Sequence, residues 1–282
     1  MPTDTLNPPA PTRTPVVTRT IIGTALAVLV AALFACDALF ESRGAISGFI
    51  VALGLAGWCE LAVLSRAASP SRGGGWAFFL VGFVGTAYFL ALAWRQPSGP
   101  GEALPLGIGL GALLFFLFVA AVFRQDPRSA FEPVLITLLG VLLFGFLFSY
   151  LLRVYQLPRG GLLAAIFLVA VKGNDIAAYF TGRSLGRLRF LKVSPKKTLE
   201  GCAAGLAFSA LTLGMAAWLW PELFASGGGT TFPWPLAVLL GIILGFTSQV
   251  GDLSESLIKR FYQVKDSSRL FPEMGGVLDL VD

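Results

Sequence analysis

The sequence predicts an all-α fold, a polytopic transmembrane helical bundle of about eight spans in this chain, with cytoplasmic polar loops. Three observations carry that expectation. Apolar residues make up 55% of the 282 and charged residues only 13%, against about a quarter charged in a soluble globular domain; mean hydropathy is +0.76. A larger core does not account for the deficit, because a chain of this length must still wet its surface unless lipid covers it. The aromatics lean the same way, with 24 Phe against 5 Tyr, since Phe faces lipid without needing a hydrogen-bond partner. Finally, apolar runs of about 20 residues, the length that crosses the hydrocarbon, recur along the chain.

Residues 1–20 are rich in Pro and Thr, carry Arg13 and Arg19, and read as a disordered cytoplasmic tail. The apolar runs then fall at roughly 21–40, 46–64, 76–94, 104–123, 133–151, 161–182, 201–220 and 234–251. Within the first, Leu33-Phe34-Ala35-Cys36 resembles the cleavage box of a bacterial lipoprotein signal. Phe34 fits that box poorly and a further span follows within a few residues, so an uncleaved span is expected. The chain therefore divides into the tail, N-terminal spans over 21–160, and a C-terminal membrane domain over 161–282. That last region is the one expected to hold any chemistry. Gly73-Gly74-Gly75 and Gly227-Gly228-Gly229 read as loops. Neither is followed by Lys-Ser or Lys-Thr, so neither is a P-loop.

Basic residues orient the bundle. With the N-terminus inside, the cytoplasmic segments hold sixteen Lys and Arg, and the outer loops hold four: Arg43, Arg95, Arg153 and Arg159. Lys172 lies within the sixth span. That asymmetry predicts that the polar C-terminal half faces the cytoplasm; a multi-pass protein of the inner (plasma) membrane is expected. A net charge of +5 favours anionic partners such as lipid head groups or nucleotides; no nucleic-acid partner is expected. There is no histidine, which excludes a histidine base or a histidine-ligated metal. Cys36, Cys59 and Cys202 lie in apolar stretches without metal-ligand spacing and read as packing residues.

Inside the spans of residues 20–165 almost nothing ionises, Asp37 and Glu60 near span ends being the exceptions, whereas 172–200 and 252–282 are dense with charge. Three constellations stand out. Lys172-Gly173-Asn174-Asp175 closes the sixth span, with Tyr179 one turn on. Asp175 and Tyr179 share a helical face, and Lys172 sits three before Asp175 on the same side. An ionisable group in a span is costly and usually meets a cavity or a partner; a self-neutralising Lys172–Asp175 pair is the plain alternative. The loop Ser194-Pro195-Lys196-Lys197-Thr198 offers ammonium and hydroxyl donors to phosphate oxygens, or is simply a positive-inside loop. From Thr198 to Gly201 it reads as a helix start.

The third constellation runs from Ser248 to Asp282. Asp252, Ser256 and Lys259 fall on one helical face, as do Asp279 and Asp282. Asp252, Asp279 and Asp282 converging would suit a hard cation with oxygen ligands, Mg²⁺ above all. The interleaved Lys259, Arg260 and Lys265 suit the polyphosphate that such a cation accompanies. A salt-bridged surface helix is the plain alternative. The paired Gly275-Gly276 and the hydroxyls argue against it.

These residues carry a resemblance. Ser256-Leu257-Ile258-Lys259-Arg260, Lys265-Asp266-Ser267-Ser268, Pro272, Gly275-Gly276, Asp279 and Asp282 resemble the signature of the phosphatidate cytidylyltransferases, or CDP-diacylglycerol synthases. Ser194 to Thr198 and Gln249-Val250-Gly251-Asp252 look like that family's other motifs, and the match covers roughly 165–282. The resemblance implies transfer of cytidylyl from CTP to phosphatidic acid, giving CDP-diacylglycerol and pyrophosphate for phospholipid biosynthesis. It implies Mg²⁺ on Asp252, Asp279 and Asp282, a monovalent cation (K⁺) nearby, and a homodimer in the bilayer. The expected catalytic residues are Asp252, Lys259, Arg260 and Asp279. The expected substrate contacts are Asp175, Tyr179, Ser194, Lys196, Lys197, Thr198, Ser256, Lys265, Asp266 and Ser267.

Two positions depart from the family's pattern. Met274 stands where the family has His, and Leu280 where it has Arg; both departures touch phosphate recognition rather than the metal acids. The chain stops at Asp282, where the family usually continues into one more span. The chemistry closes without histidine, because a phosphomonoester with a second pKa of about 6 is already an anionic nucleophile. Charge neutralisation and in-line placement are what remains to supply. Two alternatives are a CTP-dependent transferase acting on another lipid phosphate or a polyprenol, and an ion-coupled transporter using Lys172 and Asp175. The transporter needs polar residues at the midplane of several spans, and the first five offer almost none.

Overall fold

The computed structural model describes residues 16–68, 75–95, 103–124, 126–190, 194–224, 233–264, 266–268, 270 and 275–281. The apolar runs become helices in order. These are α1 (Val16–Leu39), α2 (Gly44–Ala68), α3 (Trp76–Trp94) and α4 (Ala103–Val122). A fifth span follows, built from α5 (Pro127–Gly140), a π-helical segment (Val141–Leu147) and α6 (Phe148–Gln156). Then come α7 (Gly160–Ser184), α8 (Leu199–Leu219), α9 (Trp234–Phe261) and the single-turn α10 (Val277–Val281). Among the described residues, eight helical segments are long and apolar enough to cross a membrane, as expected. Among the described residues there is no β-strand; an isolated bridge joins Arg189 to Thr198. Helix α1 starts at Val16, inside the stretch expected as tail, and residues 1–15 lie outside the described residues.

The connecting ends sort into two sets, as an up-and-down bundle requires. At one end Asp37 accepts hydrogen bonds from Ala45 N (2.9 Å), Ile46 N (3.0 Å) and Tyr155 Oη (2.7 Å), so one carboxylate caps α2 and ties α1 to α6. Arg43 there donates to the Gln156 carbonyl, Gln156 to the Trp94 carbonyl, and Arg159 pairs with Glu222. These are the loops expected outside. The opposite end gathers the charged C-terminal segments.

Without water to drive helices together inside lipid, close packing and buried hydrogen bonds must do so, and small residues permit both. Between α8 and α9, a Cβ on Gly241 would fall 2.6 Å from Ala210 Cα and from the Ser209 carbonyl oxygen. Across the same three-helix unit Asn174 Nδ2 donates to Ser209 Oγ (3.2 Å) and to the Gly245 carbonyl (3.0 Å). Gln249 Nε2 donates to Asn174 Oδ1 (3.0 Å) and to the Cys202 carbonyl (2.9 Å). The network pins α7, α8 and α9 just beneath the charged end. A second apolar cluster joins Trp58, Leu61 and Leu64 of α2 to Phe144, Tyr262 and Leu278. The N-terminal spans therefore touch the C-terminal segment directly.

Candidate active site

The site is built around the charged end of α9. Asp252 and Lys259 lie seven residues apart, roughly 10 Å along one face at a rise of 1.5 Å per residue. Each is matched with an opposite charge from another element. Lys197, from the loop before α8, pairs with Asp252, and its Nζ also approaches the Gln249 carbonyl (3.5 Å). Lys259 Nζ lies 2.8 Å from Glu255 Oε1 and 2.8 Å from Asp279 Oδ1.

The loop carrying Lys197 is held by its own residues. Thr198, 4% exposed, is the N-cap of α8, its hydroxyl accepting from Gly201 N at 3.2 Å. Such caps contribute about 1 kcal/mol. Glu200 Oε1 accepts from Leu188 N (3.2 Å) and the Lys197 N–H donates to the Ser194 carbonyl (3.1 Å). Lys196 and Tyr179 are exposed, and Arg183 donates to the Tyr179 hydroxyl (3.0 Å). Half-buried Asp175 lies within electrostatic reach of Lys172, Lys197 and Asp252. The three constellations of the sequence thus meet at one end of the bundle.

At this end of the bundle Asp279 accepts four hydrogen bonds. Its Oδ2 accepts from Ser267 N (2.9 Å), Ser267 Oγ and Gly276 N (2.9 Å), and Oδ1 takes Lys259. Burial works to raise its carboxyl, but the Lys259 ammonium and these donors outweigh it and hold the pKa at about 2. Gly275 has φ +87°, a left-handed conformation that favours glycine, and a Cβ there would strike the Asp279 carboxylate.

Asp252 and Asp279 each sit with a lysine, Lys197 and Lys259. Ser256 is half-buried and Arg260 and Asp266 are exposed, while Ser267 is occupied in holding Asp279. Lys265, Arg269, Met274 and Asp282 lie outside the described residues. Among the described residues no three acidic or cysteine side chains cluster as a metal site. The donor chemistry nonetheless fits a hard cation, since Asp252 and Asp279 are oxygen donors. Sequence reasoning assigns no role to Asn174, Gln249, Glu255 or Glu60. Their signal is polar character inside an apolar span, which is costly unless partnered.

Fold and site define a multi-pass membrane protein whose polar residues, lysines matched to carboxylates, gather at one end of a helical bundle. The chain belongs to the cytidylyltransferase family, whose model matches residues 17–282. It is 34% identical over 256 residues to a phosphatidate cytidylyltransferase of Brucella melitensis, covering 83% of this chain and 78% of that one. It is 33% identical over 260 residues to the one of Chlamydia muridarum, covering 88% and 82%. Identity to the one of Synechocystis is 39% over 127 residues, spanning 44% of this chain and 40% of the relative.

Proposed function

We propose that the chain transfers cytidylyl from CTP to phosphatidic acid, releasing pyrophosphate and leaving CDP-diacylglycerol in the bilayer. The observation that carries this reading is the pair of lysine–aspartate contacts along one face of α9, Lys197–Asp252 and Lys259–Asp279. An oxygen of the lipid phosphate bonds to the α-phosphorus of CTP as the bond from that phosphorus to the β-phosphate bridging oxygen breaks. No proton need leave the nucleophile, because the lipid phosphate is anionic. Lys196, Lys197, Lys259 and Arg260 offset the phosphate charge and orient it, which is most of what phosphoryl-type transfer asks of a protein.

Asp252, Asp279 and Asp282 are the residues that would hold Mg²⁺, and a K⁺ site nearby is proposed with it. When bound, the divalent ion supplies charge neutralisation on the phosphates. Lys197 and Lys259, which neighbour these acids, would lie within the same charged region as the bound phosphates. The sixteen-to-four basic asymmetry supports a site that opens to the cytoplasm at the inner membrane. Water-borne CTP meets there a lipid whose tails stay in the membrane. A homodimer completes the proposal, on the family resemblance.

The test is transfer of radiolabel from α-labelled CTP to phosphatidic acid by purified protein in detergent. The expected products are labelled CDP-diacylglycerol and unlabelled pyrophosphate. Labelling of another lipid phosphate in preference, or phosphorylation of a polyprenol instead, would replace the proposed substrate.

A further inference from the structure

We propose that Glu60, on the second span, is a positioning residue for this reaction: it holds the Gly276–Asp279 turn, and through it the Asp279 carboxylate. The proposal rests on the role given to Asp279 above.

Glu60 lies 217 positions before Val277 in the chain, yet its Oε2 accepts the Val277 N–H at 2.6 Å. Its Oε1 accepts the Leu278 N–H at 3.3 Å. These are opening N–H groups of α10, which have no partner within the helix. The N–H before them, on Gly276, goes to Asp279 Oδ2. Three consecutive amides are thus divided between two carboxylates, one from α2 and one from the turn itself. Gly276 makes the approach possible, since a Cβ there would fall on the Glu60 carboxylate.

The turn needs an outside hold. At five residues α10 is far below the length at which a helix persists alone. Helix α2 is a suitable anchor because it cannot easily shift. Trp58, 1% exposed, fills notches left by Gly82 and Gly140, where a Cβ would strike its ring. Leu61 is fully buried, and Leu278 packs into the same cluster. Asp279 therefore sits where two frames meet, Glu60 fixing its backbone from α2 and Lys259 its side chain from α9. A carboxylate near the end of an otherwise apolar span would be costly without such partners.

The test uses the full chain in detergent, as parent, Glu60→Gln and Glu60→Ala. Amide hydrogen exchange is followed in metal-free protein and cytidylyl transfer is measured across a Mg²⁺ titration. In Glu60→Ala, peptides covering 275–281 should exchange about tenfold faster or more, with α7–α9 unchanged. The kcat should fall about tenfold and the Mg²⁺ needed for half-maximal rate rise several-fold, at unchanged KM for phosphatidic acid. Glu60→Gln, whose amide oxygen keeps one acceptor, should fall between the two. If protection is lost throughout the Ala variant, the Gln variant alone decides. Unchanged exchange at 275–281 overturns the proposal. So does faster exchange with unaltered rate and Mg²⁺ requirement, which would make Glu60 structural only. A parent that transfers nothing overturns the functional reading instead; the exchange result then upholds or overturns the hold of Glu60 on the turn.

Discussion

Lys259 Nζ lies 2.8 Å from Asp279 Oδ1, bridging α9 to a short helix that begins sixteen residues after α9 ends. Through this contact the second acid of the site is fixed relative to the first, since Asp252 and Lys259 share one rigid helix. Removing the charge of Asp279 therefore tests the metal proposal and the architecture together. Asp279→Asn keeps the shape and some hydrogen bonds but leaves Lys259 with Glu255 alone. Turnover is expected to vanish in a CTP transfer assay, and EDTA should do the same to the parent, with Mg²⁺ restoring it. Full activity of the Asn variant would remove Asp279 from the site.

The basic asymmetry predicts which end faces the cytoplasm. A single cysteine placed beside Lys196, in a background lacking the three native cysteines, should react with an impermeant thiol reagent only after cells are opened. Reaction in intact cells would invert the bundle and remove a cytoplasmic CTP site.

The contact of α8 with α9 predicts a stability effect far from the chemistry. Gly241→Ala drives a methyl into Ala210 Cα and the Ser209 carbonyl oxygen, each 2.6 Å away. Neither is a flexible side-chain end, so the expected cost is about 1–3 kcal/mol. At Gly48 in α2 nothing lies within 4 Å of the place a methyl would take, and Gly48→Ala should be neutral or stabilise by about 0.5–1 kcal/mol. Denaturant titrations in one detergent compare the two. Equal effects would show that the α8–α9 seam yields.

Met274 donates no hydrogen bond to phosphate and Leu280 carries no charge, so two contacts that the family's pattern offers are absent. Charge-assisted hydrogen bonds contribute about 1.5–3 kcal/mol each. Met274→His with Leu280→Arg should raise kcat/KM for CTP by about tenfold or more, or leave it level if Arg269 already serves. Arg269→Ala separates the two outcomes. If Arg269→Ala is silent and the doubly restored variant is dead, this segment does not hold phosphate and the substrate assignment reopens.

The eight spans, the concentration of charge in the C-terminal segments and the Lys and Asp residues that the fold brings to one end were all legible in the sequence. Lipid imposes a length and an apolarity on every crossing segment, and a charge that survives there stands out against it. Thr198 as a helix start was legible for a similar local reason: a hydroxyl before an apolar run satisfies an amide three residues on. The pairings were not. Asp252 and Asp279 are both acids at plausible spacing, and only the tertiary structure shows each with its own lysine, Lys197 from a loop and Lys259 from the same helix as Asp252. Glu60 shows the limit most plainly. Its sequence neighbourhood says only that an acid stands near a span end, while the amides it accepts are 217 and 218 residues away. Local physics sets what each segment becomes; which segments share a hydrogen bond depends on how the helices pack, and that is decided by contacts across the whole chain.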